Sequence, residues 1–255
     1  MAFYPRIVFP NQQGGDAGKP VPCRELGAVD ELRAILEHGA NETWHLGLTE
    51  TQLDQFVRYG EMLVEWNATR MKLTRLVSPR DIAVKHFLDS LALLTVQTPA
   101  TNARVLDVGT GAGLPGLALK IAHPDLRVTL MDGTAKKLAF CRAVADDLGL
   151  DNVNIVHARA EDAAKFPKLA GQFDWVVARA VAPLETLLPW LAPFASPNGQ
   201  IAALKGVAAD SERTAARAVI KRLSLTLDYY GVRLPETSED IVRQIVVARR
   251  KGATD

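Results

Sequence analysis

The chain is poor in cysteine. It has two, Cys23 and Cys141, which lie far apart and show neither CxxC nor metal-ligand spacing. No disulfide framework and no metal site is therefore expected, and the thiols fit a reducing compartment. An excess of one charge is also lacking: 30 Lys plus Arg stand against 29 Asp plus Glu, a net charge of +1. Global attraction to a polyanion is excluded, so any nucleic-acid surface must be a local patch. No apolar run approaches the ~20 residues of a membrane span. Met1 to Cys23 lack the basic start and apolar core of a signal peptide. The chain reads as cytoplasmic, with no membrane partner. Internal repeats are absent. What is present is enough to fold: 255 residues, 48% of them apolar, suit one sizeable domain with an appendage.

The most informative stretch is Val105-Leu106-Asp107-Val108-Gly109-Thr110-Gly111-Ala112-Gly113-Leu114-Pro115-Gly116, an apolar run that breaks into glycines and then a helical pattern. It reads as buried strand, tight turn and helix, a cradle for a small molecule. Two ligands fit it. Gly111, Gly113 and Gly116 match the G-x-G-x-x-G of dinucleotide sites, and Asp107, Gly109, Gly111 and Gly113 match the D-x-G-x-G-x-G of S-adenosylmethionine (SAM) enzymes. Pro115 offers no N–H to a pyrophosphate, and Asp107 would place a carboxylate beside that anion. Both features favour SAM, whose methionine end carries an ammonium.

Residues 1–24, with Pro5, Pro10, Pro20 and Pro22 among glycines, read as an irregular tail. Residues 25–100 read as a helical cap. Its first helix starts near Glu25 with Gly39 as its stop, its second has Thr49 as N-cap and Gln52 three residues on, and its third follows Ser78-Pro79. Residues 101–250 alternate apolar strands with helices: strands near 105–108, 127–132, 153–157, 173–178 and 199–205, helices near 134–148, 184–194 and 208–223, and two last strands, 225–232 and 241–248. The fold class is α/β, a mainly parallel sheet covered on both faces and closed by an antiparallel C-terminal hairpin.

In such a sheet, ligands bind at the carboxyl ends of the strands. Asp132 follows the glycines at the distance of an acid that holds a ribose, although Thr134 also makes it a helix cap. Arg159-Ala160-Glu161 ends the third strand, and Arg179 ends the fourth without the Asn/Asp-Pro-Pro-aromatic turn common in enzymes that methylate exocyclic amines. Neither cysteine falls at a strand end, which disfavours carbon methylation of pyrimidines. Between the second and third helices, Arg70, Lys72, Arg75, Arg80 and Lys85 face one acid, Asp81, a run that suits a solvated face or a phosphate backbone. His86, beside Phe87 and Leu88, reads from its neighbours as a packing residue.

Trp66-Asn67, His86-Phe87-Leu88-Asp89-Ser90, the glycine loop, Arg159-Ala160-Glu161, Ala178-Arg179-Ala180 and Ala203-Leu204-Lys205-Gly206 occur in that order. The set resembles the bacterial small-subunit ribosomal RNA guanine-N7 methyltransferases, the glucose-inhibited division protein B family, over roughly residues 26–249. The resemblance implies a Rossmann-like class I SAM-dependent methyltransferase that acts on N7 of one guanine in small-subunit ribosomal RNA, free or in a ribonucleoprotein. It also implies that Gly109 and Leu114 contact SAM from the loop and Ala160 and Glu161 its adenosine end, beside Asp107, Gly111, Gly113 and Asp132, which the motif and its spacing already assign to the cofactor. Arg179, at the junction of SAM and substrate, is the catalytic candidate. Arg159, Lys72, Arg70 and His86 are the substrate-side candidates. In one departure, Lys72 stands where the family usually has asparagine before Leu-Thr, in a segment one residue longer. Lysine only donates, so it suits a phosphate better than a base edge. No metal is expected, and the molecule reads as a monomer. Other readings left by the residues are a SAM enzyme for a small molecule or protein, and a non-enzymatic RNA-binding protein.

Overall fold

A computed structural model describes residues 26–179, 181–206, 209–235 and 242–252. The expected tail, Cys23, Ala180 and the expected element starts at Ala208 and Ile241 lie outside them. The cap begins with α1 (Leu26–Glu37), which buries Leu32 and Leu36 completely. Gly39 does not stop it, since the chain widens into a π-helical turn, His38–Thr43. A Cβ on Gly39 would lie 2.6 Å from Leu88 Cδ1, so this glycine serves close packing between helices.

Helix α2 (Glu50–Thr69) starts with the expected capping box: Thr49 Oγ1 accepts from Gln52 N, and Gln52 Oε1 accepts from Thr49 N. Gln52 also donates to the carbonyls of Ile121 and Ala122, which ties the start of α2 to the end of the helix after the glycine loop. Ser78 caps α3 (Pro79–Asp81), which passes through a second π-helical turn, Ile82–Leu88, into α4 (Asp89–Val96). Such wide turns often mark functional sites. Here Lys85 and His86 lie on it, and Asp89 follows as the first residue of α4.

The sheet has strands β1 (Arg104–Val108), β2 (Arg127–Asp132), β3 (Val153–His157), β4 (Phe173–Arg179), β5 (Ala195–Lys205), β6 (Leu225–Arg233) and β7 (Val242–Arg250). Their order is β3-β2-β1-β4-β5-β7-β6, with β7 antiparallel to both neighbours and β1 to β5 parallel. Strict alternation builds two cores. Val105, Val128, Trp175, Val177 and Val247 pack under the cap with α5 (Gly116–Ala122) and α6 (Ala135–Asp147). Leu106, Met131, Val176, Ile201 and Val246 pack against α7 (Leu184–Leu191) and α9 (Arg217–Arg222). Fully burying each such side chain contributes about 1.5–3 kcal/mol.

Among the later elements the sequence reading differs most from the structure in β5, α7 and the helix expected over 208–223. Strand β5 starts four residues early, α7 ends at Leu191, and the helix expected over 208–223 is two pieces, α8 (Ala209–Ala215) and α9. Pairing of Ala195 with Phe173 accounts for the first, because a neighbouring strand extends the ladder beyond the apolar run.

Candidate active site

The strand ends converge on the loop after β1. Gly109, Gly111 and Gly113 have φ of +71°, +58° and +90°, the left-handed region that side chains resist. Each glycine has different surroundings. A Cβ on Gly113 would lie 2.4 Å from Leu117 Cδ1 and 2.7 Å from the Tyr59 hydroxyl, whereas one on Gly111 would meet only the Gly109 carbonyl at 3.9 Å. On Gly109 it would lie 2.9 Å from Val181 Cγ2, so the Val181 side chain lies over that glycine. Amides of Gly109 and Thr110 bond to the Met131 carbonyl, and the Tyr59 hydroxyl donates to the Ala112 carbonyl. The cap thereby grips the loop from outside the sheet.

Asp107 is completely buried at the end of β1. Its Oδ2 accepts from Thr110 Oγ1 at 2.6 Å and Gly116 N at 2.8 Å, while Oδ1 is buried without a partner. Burial pushes the carboxyl up to about 6, against the pull of those two donors. Gly116 N and Leu117 N, the first amides of α5, are already bonded to Asp107 and the Gly113 carbonyl. A pyrophosphate would find those donors taken, which disfavours the dinucleotide reading on geometry.

Asp132, 7% exposed, accepts from Gly111 N at 3.0 Å through Oδ2 and from Thr134 N at 2.8 Å through Oδ1. It steadies the glycine loop and the entry to α6, and each oxygen keeps a further lone pair. Leu114 is buried, its amide bonded to the Thr110 carbonyl. Ala160 is buried at the start of a short 3₁₀ turn after β3, where Glu161 is half-exposed and 4.0 Å from the exposed Arg159. The aliphatic stem of Arg159 runs beside Gly133.

Arg179, at the end of β4, donates through Nη1 to the Lys85 carbonyl at 3.0 Å and to Asp89 Oδ2 at 3.1 Å. Asp89 is almost fully buried, and its other oxygen accepts from Arg243 Nε at 2.5 Å. Beside them His86 Nε2 meets Thr74 Oγ1 at 3.1 Å, and its Nδ1 is buried without a partner. Burial, assisted by the Arg179 charge, lowers His86 to about 4. It is neutral at pH 7, and its predicted packing character agrees with its 7% exposure. The basic segment is held by Asn67, whose Oδ1 accepts from Leu73 N at 2.7 Å and Thr74 N at 2.9 Å. Lys72 and Arg70 project to solvent, Arg70 over the Trp66 ring at 4.6 Å.

The glycines, Asp107 and Asp132 thus form one unit, and Arg179, His86 and the Arg70–Lys72 segment form a second along the cap edge. Arg159 stands apart, on the β3 side. Sequence reasoning missed Tyr59, Asp89 and Arg243. Asp89 lay in the quoted His-Phe-Leu-Asp-Ser run without a role, whereas nothing local marked Tyr59 or Arg243. Cys141 lies behind the loop, its thiol 3.5 Å from the Gly111 carbonyl and pushed up by burial. Among the described residues no cluster of three or more His, Cys, Asp or Glu could hold a metal, and no helix is long and apolar enough to cross a membrane.

A sheet in this order, with a glycine loop after β1 and an acid closing β2, defines a Rossmann-like class I methyltransferase fold. A solved predicted O-methyltransferase from Agrobacterium tumefaciens superposes with a TM-score of 0.51 at 21% identity, over 65% of this chain and 80% of that one, and supports the fold alone. The model of the family "rRNA small subunit methyltransferase G" matches residues 52–231. A ribosomal RNA small subunit methyltransferase G from Thermoanaerobacter sp. (strain X514) is 36% identical over 217 residues, 85% of this chain and 89% of its own. One from Roseiflexus castenholzii (strain DSM 13941 / HLO8) is 44% identical over 197 residues, 76% and 80% respectively. The chain belongs to the rRNA small subunit methyltransferase G family and is a methyltransferase.

Proposed function

We propose that the protein transfers a methyl group from SAM to N7 of a guanine in small-subunit ribosomal RNA. The residues around the loop fit SAM. Asp107 Oδ1 is a buried acceptor that a cationic ammonium would satisfy, Gly111 leaves open space where a side chain would stand, and the first two α5 amides, Gly116 N and Leu117 N, are taken. Asp132, Ala160 and Glu161 would lie along the adenosine, with Gly109 beneath Val181 at the methyl end.

The observation that carries N7 is the state of the titratable groups around Arg179. Asp89 is committed to two guanidiniums, and His86 is buried, neutral and paired with Thr74. Neither offers an exposed, uncommitted base beside Arg179, and N7 needs none. SAM would supply the methyl group: the in-plane lone pair of guanine N7 would attack the methyl carbon as the carbon–sulfur bond breaks with its electrons left on sulfur, so positive charge would pass to the base and no proton would leave.

The protein then has to align and hold. Arg179, fixed through Nη1, has its remaining donors for guanine O6 or a phosphate; placed against N7 it would block the lone pair and oppose the growing charge. Lys72, Arg70 and Arg159 would hold phosphates, with His86 lining the substrate side. The test is to incubate the protein with labelled SAM and ribosomal RNA from cells lacking the enzyme, then map the modified base. One guanine labelled at N7 is expected. Label on any other atom would overturn the assignment.

A further inference from the structure

Across the sheet from the cap, α8 and α9 carry Arg213, Arg217 and Lys221 at four-residue steps, all exposed. On a helix this spacing stacks side chains on one face about 6 Å apart along the axis. The break between the two helices does not disturb the row, since Ala216 N bonds to the Glu212 carbonyl and Ile220 N to the Ala216 carbonyl, both at 2.9 Å. Lys251, just past β7, completes a groove of about 550 Å³ over Ile220 and Leu225. Arg213 lies 5.2 Å over the Tyr229 ring, which orients its guanidinium.

These cations have no carboxylate partner among the described side chains. Glu212 is held by Lys205 at 2.9 Å and by Leu184 N, and Asp228 by Arg249 at 3.2 Å. Like charges four residues apart disfavour a helix, so the row costs stability unless an anion answers it. In a chain of net charge +1 this is a built local patch. It is also remote from Arg179. Leu225 pairs with Arg250 at the edge where β6 begins, opposite the strand ends that carry the glycine loop.

We infer that the groove lined by Arg213, Arg217, Lys221 and Lys251 docks the sugar–phosphate backbone of the RNA, away from the base that is methylated. A row of evenly spaced donors in an open groove matches a regularly repeating anion and carries no base specificity. This rests on RNA being the substrate, as proposed above. The groove then contributes to binding and register, and leaves the chemical step to the glycine-loop edge.

The test compares wild type with R213Q/R217Q/K221Q and with a control of equal charge change at exposed sites elsewhere, R127Q/R142Q/K168Q. RNA affinity is measured over a range of salt, together with methylation kinetics and SAM affinity. In the groove variant, affinity for small-subunit ribosomal RNA should fall about tenfold to a hundredfold near 0.15 M salt, and the slope of log K against log salt should shrink by about 2. KM for RNA should rise while kcat and SAM affinity hold, and the control should stay near wild type. Equal losses in both variants, no loss in either, or loss of binding to an acidic protein with RNA binding intact would overturn the inference. If wild type methylates no RNA at all, the function reading fails first.

Discussion

Arg179 and Asp89 stand 90 positions apart in sequence and 3.1 Å apart in space, one at the end of β4 and the other at the start of α4. Asp89 also binds Arg243 on β7, so one buried carboxylate joins the cap, the strand that ends at the site and the C-terminal hairpin. Replacing Asp89 by asparagine should lower stability by about 3 kcal/mol, because two partly buried guanidiniums lose their counter-charge. Methylation should fall further than SAM affinity, since Arg179 loses its anchor while the glycine loop is untouched. Urea midpoints, single-turnover rates and calorimetric SAM titration separate the effects; SAM affinity falling in step with the rate would contradict it.

Arg179→Ala should abolish transfer and leave the fold intact, as read by circular dichroism. Undiminished methylation would remove Arg179 from the site.

Gly111 and Gly113 should respond to alanine in opposite ways. Gly113→Ala combines strain at φ +90° with overlap onto Leu117 and Tyr59, and should destabilise by about 2–5 kcal/mol. Gly111→Ala meets open space in the free protein and should cost only about 1–2 kcal/mol of backbone strain. It should nonetheless lose SAM binding, because its methyl group would fill the cradle. Full SAM affinity in Gly111→Ala would move the cofactor elsewhere.

Tyr59→Phe leaves the Ala112 carbonyl without its donor and should cost about 1–3 kcal/mol. SAM affinity should fall with it, since the cap would no longer clamp the loop. A variant that binds SAM as wild type does would make the contact purely structural.

Acidity should act through Asp107 and His86 in opposite directions. Asp107 has a folded value near 6, above its unfolded value, so folding takes up a proton and this contribution rises as pH falls from about 6 toward 4. His86 has a folded value near 4, below its unfolded value, so its contribution is lost as pH falls from about 6.5 toward 4. Denaturation of His86→Asn and wild type at pH 7.5 and pH 5 should show the variant losing less stability on acidification. SAM affinity should drop below about pH 6 in wild type as Asp107 becomes neutral, and Asp107→Asn should bind weakly without that pH dependence. An unchanged pH profile in Asp107→Asn would show that another group holds the ammonium.

The sequence alone determined the strand at Val105–Val108, the glycines after it, the Thr49–Gln52 capping box, the Ser78-Pro79 helix start and the alternation that makes the sheet parallel. All of these are written in local patterns: near-continuous apolar runs, residues tolerant of positive φ, and capping pairs three positions apart. The ordered motifs also marked the family, and Arg179 and Asp132 as strand-end residues. Only the tertiary structure decided what those residues hold. Gly39 looked like a helix stop until Leu88 packed against it, and nothing in the sequence showed that Asp132 accepts from Gly111 N and Thr134 N. Asp89, Arg243 and Tyr59 carry no local signal, because a long-range hydrogen bond or ion pair depends on which elements the sheet order makes neighbours. That order brings β7 between β5 and β6 and lays the cap over β4. The same packing leaves Asp107 Oδ1 buried without a donor, and composition cannot encode that vacancy.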